Sequence, residues 1–306
     1  MKTKLIAVLL ILAVSGGLWS AGIGCKEKEN VYAEQQEESG DKGIIQEEVI
    51  FAGSKDELEI PQETTENVTE QEENSTQNEV PDYVSDAAEI SKKLSTYNFY
   101  NEDEKTVYLT FDDGATTTIT PQILDVLEQE DVKATFFMIG DTIEKGGEKV
   151  KDIIRRVYEQ GHSIGNHTYS HNYKYLYPDR NVNVTNFVAD MEKTDKLLKS
   201  ILGDDFSTRL VRCPGGTMSW KNMSELMSSF EENNRVSVDW NALSKDAEGG
   251  KKTASELIQN VKETSEGKDM VVLLMHDTYG KEETVKALPS IIHYFKEQGY
   301  QFKTLA

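Results

Sequence analysis

The sequence predicts a parallel α/β fold for its C-terminal two-thirds, and three observations carry that reading. From about residue 97, apolar runs of strand length alternate with segments of helical periodicity. The strongest polar clusters fall at the C-terminal ends of the apolar runs, where such folds collect their reactive side chains. No internal repeat is visible. Periodicity alone leaves a barrel and a doubly wound sheet equally open.

The first strand is 106–111, an apolar run that ends in charge. A helix follows over 121–129, with Thr120 as a suitable N-cap and Pro121 at the first helical position. A strand at 133–139 precedes a helix at 148–160, which Gly161 closes. Residues 162–167 form the next strand. Further helices fit 187–202, 222–233, 254–264 and 284–298, with strands near 210–212, 235–238 and 270–274.

The N-terminal third is different material. The chain has 306 residues, a net charge of −21 and two cysteines. Lys2 and Lys4 precede an apolar run from Leu5 to Val14 that weakens toward Gly24, the pattern of an export signal. The run is also about long enough to span a bilayer, which needs ~20 residues, so an uncleaved anchor fits as well. Cys25 ends it and resembles the lipidated cysteine of bacterial lipoproteins, although Gly22 stands where leucine is usual. With Cys25 removed or lipidated, Cys213 has no partner in the chain. Residues 26–95 carry 20 acidic against 6 basic side chains and only Tyr32, Phe51 and Tyr83 as aromatics. Such a segment buries too little apolar surface to offset its ordering entropy, and like charges extend it. The reading is therefore a signal or anchor at 1–25, a disordered acidic linker at 26–96 and one folded domain at 97–306.

Four polar clusters sit at strand ends. Asp112 and Asp113 precede Gly114, a combination that turns also carry, but one carboxylate can bind a metal while its neighbour moves a proton. His167 and His171, four apart, face the same way on a helical turn and can hold one ion. His162 falls outside that spacing and reads as structural, and His293 reads as a helix-surface residue. Arg212 precedes Pro-Gly-Gly, where it can brace a carboxylate in a bidentate clamp while the tight turn frees backbone N–H groups for an oxyanion. Finally an apolar strand ends in His276-Asp277, a place for a general acid or for a satisfied core histidine.

Taken in order, 110–114, 167–171, 212–216, Asp246 and 273–277 resemble the successive motifs of the polysaccharide deacetylases, carbohydrate esterase family 4 (the NodB-homology domain). The resemblance spans about 105–303 and implies a distorted (β/α) barrel, usually of seven strands. It also implies roles. Asp112 would be the general base and Asp113, His167 and His171 the metal ligands. Arg212 would orient Asp112, His276 would protonate the leaving group, and Asp246 would tune His276. The Gly215 N–H would face the oxyanion, although the family commonly has tyrosine at that position. Leu274 would line the acetate pocket. Leu243 and Ala247 stand where relatives carry Asp and often Trp, so one wall of the groove should differ.

One carboxylate and two imidazoles suit Zn²⁺, with Co²⁺ or another divalent ion also accommodated. An exported, tethered hydrolase of this kind meets cell-wall polysaccharide, with peptidoglycan N-acetylglucosamine the leading substrate. N-acetylmuramic acid, chitin oligomers and acetylxylan are the alternatives, and a metal-dependent amidase on the same scaffold shares the ligand set. A non-catalytic wall-binding protein on this scaffold would lack a ligand or the base, and neither is missing. Removing −14 for 26–95 and +2 for Lys2 and Lys4 from −21 leaves −9, which gives no reason to expect nucleic acid as a partner. The chain is expected at the cell surface or outside it, as a monomer that meets membrane only through its N-terminal segment.

Overall fold

The computed structural model describes residues 81–100 and 104–306. The expected signal or anchor, the possibility of lipid at Cys25 and most of the expected linker lie outside them. In chain order the elements are β1 (Val84–Ser85), α1 (Ala87–Ser95), β2 (Lys105–Gly114), α2 (Ile119–Gln129), β3 (Thr135–Met138), α3 (Gly140–Glu159), β4 (Ser163–Asn166) and α4 (Tyr173–Leu176). They continue with α5 (Val184–Leu202), β5 (Leu210–Val211), α6 (Ser224–Glu232), β6 (Val236–Ser237), β7 (Ala242–Leu243), α7 (Ala254–Ser265), β8 (Met270–His276), α8 (Glu282–Glu297), β9 (Tyr300–Phe302) and β10 (Thr304–Leu305).

Seven strands form one parallel sheet in the order β6-β5-β4-β3-β2-β8-β7, and β9 pairs with the start of β2. The period-2 alternation of β2 explains how the sheet is covered. Val107, Leu109 and Phe111 face the helices, packing with Ile123 and Leu127 of α2 and Leu288 and Ile292 of α8. Tyr108 faces the other way and joins Phe137, Leu210, Val238 and Val272. Those inner residues come from strands that are far apart in the sheet order, so the sheet curls on itself. The fold is therefore a distorted (β/α) barrel rather than a flat doubly wound sheet, with no ladder between β6 and β7 among the described residues.

Three local expectations need correction. The folded part begins before position 97: Val84 and Ser85 pair with Thr304 and Leu305, and Ala87 and Ile90 of α1 are buried in the inner cluster. Composition averaged over an acidic stretch hid this short amphipathic helix, which Asp86 caps by accepting from the Ala88 N–H. The second helix starts at Ile119, so Thr120 is in its first turn and caps nothing. Its hydroxyl instead bonds the Asp277 carboxylate at 2.7 Å. Finally, α3 begins at Gly140 and is broken at Gly147, whose positive φ of 61° separates a first segment of about two turns from the expected 148–160 segment.

No helix of the described residues is long and apolar enough to cross a membrane. Cys213 is free and buried.

Candidate active site

The C-terminal ends of β2, β4 and β8 converge on a cavity of about 270 Å³ lined by Asp112, Asp113, His167, His171, Asp246 and His276. Registry places Asp112 directly beside His276 on the neighbouring strand. Successive strand residues normally face opposite sides of a sheet, which would send Asp113 away from Asp112. A bulge between Asp112 and Gly114 breaks that rule, and Asp113 takes a left-handed φ of 73°. Both carboxylates consequently reach one imidazole: His167 Nε2 lies 3.7 Å from Asp112 Oδ2 and 3.5 Å from Asp113 Oδ1. A Cβ at Gly114 would collide with the Asp277 carboxylate, so the bulge needs glycine there.

His171 Nε2 is 3.6 Å from the same Asp113 oxygen. The two histidines do not share a helical turn, as their spacing predicted. They sit on an irregular loop after β4, in which Thr168 (φ 65°) and His171 (φ 49°) are both left-handed. The loop is held by side chains. Asn166 Oδ1 accepts from the Thr168 N–H at 2.8 Å, and Thr168 Oγ1 accepts from the His171 N–H at 3.2 Å. Asp190 Oδ2 of α5 accepts from the N–H groups of Tyr169 and Ser170, at 3.0 and 2.8 Å.

Three features test whether these residues suit a metal. Asp113 Oδ1 is a buried carboxylate oxygen with no hydrogen-bond partner, which is costly unless a cation takes it. His167 Nδ1–H donates to the Arg212 carbonyl at 2.7 Å, which leaves the Nε2 lone pair facing Asp113. Burial pushes His167 down to about 3, with His171 acting in the same direction, so the ring is a neutral ligand. Tetrahedral ligation at ~2.0–2.1 Å puts ligand atoms roughly 3.3 Å apart, close to the spacings of 3.5 and 3.6 Å here. The residues fit a divalent ion.

Arg212 is fully buried under this cluster. Its Nη1 donates to Asp112 Oδ1 at 2.8 Å and to Thr110 Oγ1 at 2.7 Å, and its Nε donates to the Val238 carbonyl at 2.9 Å. One nitrogen meets one carboxylate oxygen, so the brace is single rather than the expected bidentate clamp. The second fork of the guanidinium is spent on backbone carbonyls. Its plane also lies over the Phe137 ring, 4.1 Å from the centroid. Burial raises Asp112 above the ordinary carboxylate range even though Arg212 opposes it, which makes the carboxylate a stronger base.

His276, at the end of β8, also lines the cavity. Its Nδ1–H donates to Asp246 Oδ1 at 2.7 Å, and its backbone N–H donates to Asp246 Oδ2 at 2.9 Å. Thr284 Oγ1 donates to the same carboxylate, and Lys281 Nζ to the Asp246 carbonyl. Burial alone would lower His276, but the hydrogen bond and charge of Asp246 outweigh it and raise the imidazole to about 9. Asp246 moves the other way. Its burial is overcome by His276, then by Lys281 and Thr284, and it stays below its usual range.

Gly215 lines the cavity with a φ of 77°. Its turn is fixed by the Gly216 N–H on the Cys213 carbonyl and by the Asp239 carboxylate, which accepts from the Thr217 N–H. The Gly215 N–H donates to no acceptor among the described residues. Leu274, Leu243 and Ala247 also line the cavity. His162 and His293 stay outside it. The first is buried and its Nδ1 accepts from the Ala134 N–H, and the second is exposed beside Glu297. The residues that sequence reasoning left without a role are Tyr173 and Trp240, which line the cavity, and Asp190, Thr284 and Lys281, which hold its side chains. Trp240 opens the stretch that runs to Asp246 and Ala247, while the other four belong to no short motif and only the fold brings them here.

A curled parallel sheet with an Asp-His-His cluster at its C-terminal end defines a class of metal-dependent hydrolases. The family model for polysaccharide deacetylase matches residues 100–229. A peptidoglycan-N-acetylglucosamine deacetylase of Bacillus cereus is 33% identical over 219 residues, covering 69% of this chain and 73% of that protein. A chitin deacetylase of Colletotrichum lindemuthianum is 32% identical over 208 residues, covering 65% and 77%. Among solved structures, a Streptococcus mutans CE4 esterase superposes with a TM-score of 0.67 at 36% identity, covering 73% of this chain and 92% of that one. The chain belongs to the polysaccharide deacetylase family.

Proposed function

We propose that the chain hydrolyses acetamido groups of a cell-wall polysaccharide, with peptidoglycan N-acetylglucosamine as substrate and zinc as the bound ion. The observation that carries the reading is one cavity in which a carboxylate base and a protonated histidine stand together beside an Asp-His-His cluster. Asp113, His167 and His171 would hold the ion. A divalent ion there supplies Lewis-acid polarisation of the acetyl carbonyl and lowers the pKa of water toward ~7.

The chain's own groups do the rest. Asp112, braced by Arg212, takes the proton of the attacking water. The Gly215 N–H faces the developing oxyanion. His276, protonated at neutral pH and with Nδ1 committed to Asp246, donates from Nε2 to the departing amine. Leu274 provides an apolar contact for the acetyl methyl.

The peptidoglycan assignment is supported by the Bacillus cereus relative and by the export-like N-terminus with its acidic tether. The test is acetate release from purified peptidoglycan, chitin oligomers and acetylxylan by the wild-type chain and Asp112→Asn. Peptidoglycan should be turned over fastest, and Asp112→Asn should keep metal but lose turnover. Full activity in Asp112→Asn sinks the base assignment, and faster turnover of acetylxylan sinks the substrate.

A further inference from the structure

The deacetylase reading accounts for the carboxylates and imidazoles of the cavity but leaves Tyr173 without a role. Tyr173 opens α4, two residues beyond His171, and lines the cavity. Its ring lies 5.3 Å from the His171 ring and 5.1 Å from Trp220. Trp220 in turn stacks flat on Tyr177, with 4.0 Å between centroids and 4° between planes, and its indole N–H donates to the Pro214 carbonyl at 2.8 Å. Tyr177 packs on Phe187, and Phe187 on Phe230. The row is rooted in a buried core cluster and surfaces at the metal cluster.

Two further observations give this row a purpose. Tyr177 and Phe187 are buried, yet Tyr173 is 45% exposed. An aromatic side chain that packs on its neighbours and is still nearly half exposed leaves apolar surface in water unless a ligand covers it. The second observation is Gly215. A Cβ at that position would come within 3.2 Å of Trp220 and 3.5 Å of the Tyr173 hydroxyl. Residue 215 carries no side chain, and the aromatic surface beside its N–H comes from α4 and Trp220 instead. A phenolic hydroxyl can donate as well as accept a hydrogen bond.

We infer that Tyr173 is a specificity-determining residue of this site: its exposed ring carries the apolar face of the pyranose whose acetamido group enters the cavity, and its hydroxyl donates to a ring substituent. The inference rests on the deacetylase reading for the identity of the sugar. Tyr173 is half exposed and its removal leaves the buried part of the row in place, so the variants should fold.

The test uses the full chain, metal-loaded, with an N-acetylglucosamine oligomer as substrate. Tyr173→Ala should raise KM about tenfold and change kcat less than threefold, with metal content by elemental analysis equal to wild type. Tyr173→Phe keeps the ring and should recover most of the KM. An unchanged KM in Tyr173→Ala, or a loss confined to kcat, overturns the inference. Calorimetric binding of the same oligomer to Asp112→Asn, with and without Tyr173→Ala, reads the ring without turnover. About tenfold weaker binding supports the role, and equal affinity overturns it. A wild-type chain that released no acetate from any glycan would sink the deacetylase reading, and the binding comparison would still decide the role of Tyr173.

Discussion

The two walls of the cavity are held in place by different means. On the metal wall the backbone does the positioning. Asp113, Thr168 and His171 are non-glycine residues with φ between 49° and 73°, and a bulge turns two consecutive carboxylates to one side. On the acid wall His276 ends a regular seven-residue strand, and hydrogen bonds to one buried carboxylate fix its ring. Left-handed conformations cost of order 1–3 kcal/mol for residues such as Thr168 and persist only where their surroundings over-determine them. Here Asn166 and Asp190 supply that constraint. Damage to the first wall should therefore show as lost metal, and damage to the second as impaired proton transfer with the metal retained.

The largest expected effect is that of Asp113→Ala. It removes a ligand and the carboxylate oxygen that both imidazoles face, so metal uptake and acetate release should fall together, activity by on the order of 10³-fold or more. Elemental analysis beside acetate release checks it, and a metal-replete Asp113→Ala chain would break the division between the walls. His276→Ala comes next. It should lower kcat by about 10²–10⁴-fold, the usual worth of a general acid, at unchanged metal content.

Asp246→Asn sharpens the contrast through pH. His276 stands at about 9 against an ordinary 6.5, mainly because the hydrogen bond and charge of Asp246 overcome burial. The folded state therefore binds the imidazole proton more tightly than the unfolded chain does. The resulting stability is fully present below pH 6.5 and fades as pH rises through about 9. Activity that needs protonated His276 should fall on the same alkaline limb. With Asp246→Asn the limb should move down toward the ordinary histidine range, which a pH–rate profile reads directly. A limb that stayed at about 9 would mean that another group sets it.

How much of this was legible in the sequence follows from the same division. His276 ends β8 and Arg212 directly follows β5, so a sequence that reads correctly as strands and helices already orders those two motifs along one end of a sheet. Asp246 follows the two-residue β7, which periodicity did not show, and was legible only through the family resemblance. The left-handed turns were not legible. Nothing in the spacing of His167 and His171 tells an irregular loop from a helical turn, because both bring residues four apart to one ion. The bulge at Asp113 is likewise silent until Gly114 is seen against Asp277. Arg212 was read as a clamp because isolated motifs do not show that backbone carbonyls at Val238 and Asp239 compete for its other nitrogens. The helix at Ala87–Ser95 was lost in an average over an acidic stretch. Tyr173 and Asp190 belong to neighbouring elements, and only packing brings them to the cavity.

Asp190→Ala is the smallest expected effect and the one most particular to the metal wall. The Asp190 carboxylate touches no metal ligand. It accepts from the Tyr169 N–H at 3.0 Å, the Ser170 N–H at 2.8 Å and the Ser170 hydroxyl at 3.0 Å, all between His167 and His171. Its removal leaves two backbone donors without their acceptor and frees the loop to leave its left-handed turns, so the histidines lose their preset spacing. Partners of this kind are worth about 10–100-fold in metal affinity, and the lower end is expected because Asn166 and Thr168 still hold the loop. Competition with a chromophoric chelator measures it, and Asp190→Asn, which keeps an acceptor oxygen, should recover part of the loss. Asp246→Asn, measured in the same way, should leave metal affinity unchanged. Equal losses in the two variants would show that the walls are one coupled network rather than two.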